Sequence, residues 1–303
     1  MYHLPVLLNE CIEGLNIDPN GVYVDVTFGG GGHSAKILAQ LENGQLFAFD
    51  QDADALANTF QDDRFTLIHE NFKYLKNFLR LHGIKQVDGI LADLGVSSHQ
   101  FDTANRGFST RFDGPIDGRM DQRQDLTGAH ILNTYEPKEL TRIFRLYGEL
   151  KNAFQIGLKI VETRNETPYK TIGQLKESLL KLSPRNKENR FFAQVFQALR
   201  IEVNQEMTAL EDMLMQCEQV IKPGGRLVVL SYHSLEDRIA KNIIRTGNVE
   251  GELNKDFFGK VIKPWEAINR KPIVASSEEI EKNSRARSAK LRVAELWNTK
   301  QNK

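Results

Sequence analysis

The sequence is poor in cysteine and has no long apolar run. Cys11 and Cys217 are its two cysteines in 303 residues, too few for a disulfide framework or a cysteine-based zinc site. They read as reduced, partly buried thiols. No apolar stretch reaches the roughly 18 residues that a spanning helix needs, so no membrane partner is expected. Residues 1–10 have no basic run, and Glu10 and Glu13 interrupt their apolar stretch, so no signal peptide is expected and the protein reads as cytoplasmic. Internal repeats and low-complexity tracts are also missing. The seven histidines show no His-Glu-x-x-His or similar ligand spacing, so no catalytic metal is expected.

The composition is that of a soluble globular protein, with 40% apolar and 26% charged residues. The length is enough for about two domains. Basic and acidic residues balance at 40 each, but unevenly along the chain: residues 1–105 carry −8, 106–200 carry +6 and 201–303 carry +2. The middle and the tail are where a polyanion such as RNA would be held. Charge alone fits solvated helix faces equally well.

Residues 21–28 alternate as a strand, and four glycines, Gly29 to Gly32, follow. A helical stretch over 33–41 comes next, then strands at 45–50, 64–69 and 87–94, separated by helical stretches at 52–60 and 72–82. This alternation predicts a parallel sheet with helices on both faces, an α/β fold. Residues 95–125 read as a long loop rich in Gly, Asp, Ser and Arg. From 126 to 183 there are only helical patterns and turns. Residues 189–221 read as one long helix or two abutting ones, stopped by Lys222-Pro223-Gly224-Gly225. A strand at 226–231, a helix at 235–245 and weaker strands at 260–263 and 290–296 complete the chain. The sheet domain is thus split, 1–110 and 200–303, around a helical insert at 111–199.

A strand, a glycine turn and a helix start make a cradle for a nucleotide, because glycines allow close backbone approach and the helix start offers free N–H groups. Asp50 ends the next strand, 19 residues after Gly31, where a carboxylate accepts ribose hydroxyls. Gly30-x-Gly32-x-x-Ala35 also fits the looser dinucleotide fingerprint, so NAD stays open. S-adenosyl-L-methionine is favoured by the unbroken glycine run followed by His33, by Asp25 inside the first strand, and by Asp93 at the end of the fourth. Asp93-Leu94-Gly95-Val96 occupies the position where enzymes that methylate exocyclic amines often have Asp-Pro-Pro-Tyr. There a carboxylate accepts the amine N–H groups and localises a lone pair otherwise conjugated into the ring. Capping of a strand-to-loop turn is the plainer role for Asp93.

Together these segments resemble one family, the bacterial 16S ribosomal RNA (cytosine-N4)-methyltransferases (RsmH, or MraW). The resemblance runs along nearly the whole chain. It rests on His3-Leu-Pro-Val-Leu-Leu-Asn-Glu10, Asp25-Val-Thr-Phe-Gly-Gly-Gly-Gly-His-Ser34, Asp93-Leu-Gly-Val-Ser-Ser98, Arg106-Gly-Phe-Ser109, Asp113-Gly-Pro-Ile-Asp117, Phe196-Gln-Ala-Leu-Arg-Ile-Glu-Val-Asn204, Ser231-Tyr-His-Ser-Leu-Glu-Asp-Arg238 and Arg285-Ala-Arg-Ser288. It implies a class I methyltransferase Rossmann-like sheet with an inserted all-helical substrate-binding domain. The implied reaction is in-line methylation of a cytidine N4 amine in the decoding region of 16S rRNA. The implied S-adenosyl-L-methionine contacts are Gly31, Gly32, His33, Asp50, Phe72, Asp93 and Gln100. The small ribosomal subunit is the implied partner, and a homodimer is left open.

Two departures from the family pattern stand out. Ala193-Gln194-Val195 replaces a common Thr-Arg-Thr, which puts an arginine contact in doubt. Asp117-Gly118-Arg119-Met120 replaces Asp-Met-Arg-Met, which predicts a looser loop. His233 is a second catalytic candidate, toward the target base or its phosphate, with a hydrogen bond to Glu236 or Asp237 as its structural alternative. Tyr232 reads either as a base-stacking aromatic or as strand core. Lys282, Arg285, Arg287, Lys290 and Arg292 form the densest basic run; the resemblance favours RNA contact over a solvated tail for Arg285, Arg287, Lys290 and Arg292. An NAD-dependent oxidoreductase explains the glycine loop and Asp50 but not the basic insert. A non-catalytic RNA binder would have no need of Asp25, Asp50 and Asp93. DNA is a weaker alternative substrate.

Overall fold

The computed structural model describes residues 5–259 and 261–297, so His3 and Leu4 of the first motif and Lys260 of the expected strand lie outside the described residues. The chain divides into two compact units, Met1–Gly95 with Met207–Lys303, and Val96–Glu206.

The first unit opens with α1 (Leu8–Leu15), whose face of Cys11, Ile12 and Leu15 is buried. Then come β1 (Val22–Asp25), α2 (Gly32–Leu38), β2 (Gln45–Phe49), β3 (Phe65–Ile68), α3 (Leu75–Leu81) and β4 (Val87–Asp93). In the second unit lie α4 (Ser98–Asp102), α5 (Gly128–Thr134), α6 (Pro137–Leu146), α7 (Ala153–Glu166), α8 (Ile172–Leu179) and α9 (Glu188–Asn204). Beyond Gln205, at φ +51, the chain continues as α10 (Glu206–Val220), β5 (Ile221–Ser231), α11 (Ser234–Thr246), β6 (Trp265–Ala267), α12 (Ser277–Lys282) and β7 (Lys290–Leu296).

Among the described residues the sheet has seven strands in the order β3-β2-β1-β4-β5-β7-β6. The first five in this order are parallel, and β7 runs antiparallel between β5 and β6. The parallel strands are apolar because both their faces are covered: Ile90, Leu91, Val228 and Leu230 are all at 0% exposure. Cys11 and Cys217 are free and fully buried, not partly so. No helix among the described residues is long and apolar enough to cross a membrane.

Four local expectations need correction. Residues 52–60 are helical only over Ala53–Asn58, and as a 3-10 turn; the Asp52 side chain caps it by accepting the Asp54 N–H at 3.1 Å, and the helix stops at Thr59. The loop over 95–125 contains α4 and a 3-10 turn at Ala104–Arg106. Lys222-Pro223-Gly224-Gly225 does not precede the strand but bulges within it. Val87 pairs with Ile221 and Gly89 with Arg226, so Lys222 to Gly225 loop out opposite Asp88, with Gly224 at φ +85 and Lys222 Nζ on Asp88 at 2.8 Å. Proline and glycine in a strand mark such bulges. The late strand is Trp265–Ala267, not 260–263. Trp265 is fully buried, whereas Val261 makes only an isolated bridge to Lys255.

The units divide at 95/96 and 206/207, whereas the sequence placed the edges at 110/111 and 199/200. Hydrogen bonds within the second unit give the reason. The buried Arg106 guanidinium donates to the Arg119 and Met120 carbonyls at 3.1 and 3.2 Å. The Asn204 amide accepts the Met120 N–H at 2.7 Å and donates to the Gly118 carbonyl at 2.8 Å. Gly118 takes φ +75, and Asp117 grips Arg119 at 2.8 Å through both oxygens. The loop expected to be loose is therefore pinned at both ends of its turn. Val195 lies fully in the helical core, and Gln194 Nε2 donates to the Gly148 carbonyl at 2.8 Å.

Asn204→Ala leaves the Met120 N–H and the Gly118 carbonyl unpaired in a buried place. At about 1–3 kcal/mol per orphaned group, the expected loss is roughly 2–6 kcal/mol, read as a lower Tm. An unchanged Tm would mean that Asn204 does not hold the loop.

Candidate active site

The sheet order places the carboxyl ends of β2, β1, β4 and β5 side by side. The order reverses between β1 and β4, and open α/β sheets bind ligands in the crevice at such a point. Each strand brings a polar group to this edge: Asp25 ends β1, Asp50 follows β2, Asp93 ends β4, and Tyr232 follows β5.

Asp93 is held from three directions. Its N–H donates to Thr27 Oγ1 at 2.7 Å. Its Oδ1 accepts the Tyr232 hydroxyl at 2.7 Å, and its Oδ2 lies 3.5 Å from His33 Nδ1. His33, buried at the start of α2, places its Nε2 3.2 Å from the Val6 carbonyl. Asp25 accepts the Ser34 hydroxyl at 2.7 Å and the Thr27 N–H at 3.0 Å. Asp50 Oδ2 accepts the Gly29 N–H and Oδ1 the Asp52 N–H, each at 2.8 Å. That ties the glycine loop to the end of β2 and leaves each oxygen a second lone pair.

Gly31 takes φ +77, and a Cβ there would also meet the rings of Phe60 and Phe28 at about 3 Å. A Cβ on Gly32 would fall 2.3 Å from Pro5. The close approach that these two glycines allow is thus, in part, to the chain's own side chains.

Burial pushes the Asp93 carboxyl up to about 6; His33 and the Tyr232 hydroxyl oppose the rise, and Asp25 and Glu236 add to it. Burial also pushes Asp50 up to about 6, against its two backbone hydrogen bonds and with help from Asp52 and Asp25. The Asp25 carboxylate thus raises the cost of charge on both Asp93 and Asp50. A ligand with positive charge and ribose hydroxyls fits this donor set. A dinucleotide pyrophosphate, with two negative charges, does not.

The other candidate residues have local partners of their own. Phe72 begins a 3-10 turn after β3 and is half-buried. Gln100 belongs to the second unit, where its side chain accepts the Ser97 N–H at 3.0 Å in the capping box of α4. His233 caps α11: its Nδ1 accepts the Glu236 N–H at 3.4 Å, and its Nε2 lies 3.0 Å from Glu236 Oε1. Lys290 and Arg292 converge on Asp237, at 3.3 and 2.7 Å, and hold its carboxyl below the usual range despite burial. Arg285 and Arg287 sit on the 3-10 turn Ser284–Ser288, with Arg287 exposed. Thr27 and Ser34 were not singled out from sequence; both lie in the quoted glycine motif, yet nothing local marks them as partners of Asp93 and Asp25.

The strand order, with β7 antiparallel beside β5, is that of the Rossmann-like sheet of class I methyltransferases. The MraW methylase family model matches residues 1–297. Ribosomal RNA small subunit methyltransferase H of Bacteroides thetaiotaomicron is 57% identical over 295 residues, covering 97% of each chain. The protein of the same name from Flavobacterium johnsoniae is 58% identical with the same coverage. An rRNA methylase structure from Streptococcus thermophilus covers 96% of this chain and 94% of that one at 13% identity, with a TM-score of 0.41. The chain belongs to the MraW methylase family, and its cofactor is S-adenosyl-L-methionine.

Tyr232→Phe removes one group that holds the Asp93 carboxyl down. Its pKa then rises, and the acid limb of kcat/KM moves to higher pH, by about one unit. Initial methyl-transfer rates across pH 5 to 9, an interval of about four units, check this. A limb that stays in place would show that Asp93 ionisation does not set it.

Proposed function

We propose that the protein methylates the N4 amine of a cytidine in the decoding region of 16S rRNA by direct in-line transfer. Support for the RNA class comes from relatives named as ribosomal RNA small subunit methyltransferases. The observation that carries the chemistry is Asp93, fixed at the end of β4 by Thr27, Tyr232 and His33.

Asp50 would hold the ribose hydroxyls of S-adenosyl-L-methionine, the turn at Gly31, Gly32 and His33 its methionine end, and Phe72 its adenine face. Gln100 is kept as a further contact. Bound there, the cofactor supplies a methyl group on a cationic sulfur. The chain's own part is positioning and charge. The Asp93 carboxylate accepts an N–H of the amine, localises the lone pair toward the methyl, and takes up the proton shed once the new N–C bond has formed. A carboxyl at about 6 is charged at neutral pH yet basic enough to accept that proton in passing. His233, whose Nδ1 accepts the Glu236 N–H, serves this reading as the residue that fixes the start of α11 behind Tyr232.

The helical unit, from the most basic part of the chain, recognises the substrate. Arg285, Arg287, Lys290 and Arg292 contribute phosphate contacts, the last two after sharing charge with Asp237. A ribosomal substrate places this work in the cytoplasm.

The test is transfer of labelled methyl to small ribosomal subunits from a strain lacking the gene, with the product nucleoside identified by mass spectrometry. Label is expected in N4-methylcytidine, with Asp93→Ala lowering the rate about a hundredfold or more and Asp50→Ala weakening cofactor binding about tenfold or more. Label in another nucleoside would overturn the N4 assignment, and full activity in Asp93→Ala would overturn the role of that carboxylate.

A further inference from the structure

A cavity opens in the first unit between α3 and the end of α10. Two glutamines of α10 dock α3 there. Gln216 Oε1 accepts the Lys76 N–H at 2.9 Å, and its Nε2 donates to the Lys73 carbonyl at 2.7 Å. Gln219 Oε1 accepts Lys76 Nζ. At its other end α3 closes on Gly83, at φ +76. The Gly83 N–H donates to the Arg80 carbonyl at 3.0 Å and the Ile84 N–H to the Leu79 carbonyl at 2.9 Å, the pattern of a glycine C-cap. This turn sends the chain back, so that Lys85 joins Lys76 and Arg80 around a cavity of about 410 Å³.

Residues 1–105 carry a net charge of −8, yet the stretch between Glu70 and Asp88 holds Lys73, Lys76, Arg80 and Lys85 and no acid. Lys76 and Arg80, four apart on one face of α3, repel each other. Gln219 gives Lys76 only a neutral acceptor. Arg80 and Lys85 are exposed, and no carboxylate among the described residues pairs with either. The neighbouring acids do not balance them: Asp88 accepts Lys222 Nζ at 2.8 Å, and Glu218 is exposed and is not part of the cavity wall. Three cations around one hollow match phosphate, whose oxygens a guanidinium grips in pairs and ammonium groups meet as point charges. A free phosphate ion, a few times the roughly 30 Å³ of a water, would leave most of the cavity empty, whereas a stretch of phosphodiester fills it. A lipid surface is held by clusters of about four to eight cations. β4 begins at Val87, two residues after Lys85, and ends at Asp93. At roughly 3.3 Å per residue, its length sets the cavity about 20 Å from the crevice, so one ligand that meets both is a polymer.

We propose that this cavity holds backbone phosphates of the RNA substrate at a point remote from the methylated base. The proposal rests on the RNA reading above and adds a contact that sets substrate affinity, not the chemical step.

The test uses the full chain with Arg80→Gln/Lys85→Gln. The control is Lys241→Gln/Lys263→Gln, which removes as much charge from elsewhere in the first unit. Because Arg80 and Lys85 are both exposed, the melting temperature should not move. The cavity variant should raise KM for small ribosomal subunits about tenfold or more, and flatten the slope of log KM against log salt by about 1 to 2. kcat and the Kd for S-adenosyl-L-methionine should stay unchanged, and the control should leave KM in place. An unchanged KM and salt slope in the cavity variant, while the wild type methylates subunits, overturn the contact alone. An equal rise of KM in the control shows only a diffuse field and overturns it too. If the wild type transfers no methyl to subunits, the RNA reading and the contact fall together. Binding of inorganic phosphate, or flotation with phosphatidylserine vesicles, that depends on Arg80 and Lys85 while KM does not assigns the cavity to a free ion or a membrane and overturns the proposal.

Discussion

Three strands meet at one carboxylate. Asp93 ends β4, takes a side-chain acceptor from just beyond β1 through Thr27, and a hydroxyl donor from just beyond β5 through Tyr232. Register makes this possible. β4 pairs with β1 on one side and β5 on the other, with Asp25 opposite Leu91 and Asp93 opposite Leu230, so the polar residues at the three ends fall within reach of one another. A shift of one residue would turn Asp93 to the other face of the sheet. The apolar pairing of strand interiors, worth nothing to chemistry in itself, is what fixes the position of the reactive edge.

That edge is costly. Burial near other carboxylates works against ionisation of Asp93 and Asp50, and the hydrogen bonds from Tyr232, Gly29 and Asp52 recover only part of the loss. Strain of this kind collects at functional sites, where the surroundings over-determine an arrangement that would not persist alone. A sulfonium with an ammonium group would bring positive charge to such a crevice, and a pyrophosphate would not. A glycine fingerprint shared by both cofactor classes could not make that distinction; membership of the methylase family does.

Much of the first unit was legible in the sequence because parallel strands and their crossover helices announce themselves locally. The apolar runs ending at Asp50 and Asp93 and the four glycines between strand and helix are patterns a few residues long. Contacts between distant residues were not legible. Lys290 and Arg292 read as a free basic run, but Asp237, which pairs with both, lies 53 and 55 residues away. Tyr232 read as a stacking ring or core, and its hydroxyl partner is 139 residues away. The bulge at Lys222 to Gly225 looked like a stop because proline and glycine end helices and interrupt strands alike, and only the partner strand decides between the two. The residues that tie the ends of the helical unit were not legible for a similar reason: Arg106 and Asn204 act through backbone groups that no sequence pattern identifies.

The placement of α1 settles a matter of chemical selectivity. A thiolate attacks a sulfonium methyl far more readily than a conjugated amine does, so a cysteine near such a donor is a rival acceptor. Cys11 lies on the buried face of α1, close enough to feel the charges of Asp93 and Asp25. Burial first, and those carboxylates with it, push its thiol well above its ordinary value. It therefore stays protonated and poorly nucleophilic at neutral pH. Burial, with the neighbouring carboxylates adding to it, thus keeps this thiol a poor rival for a methyl group.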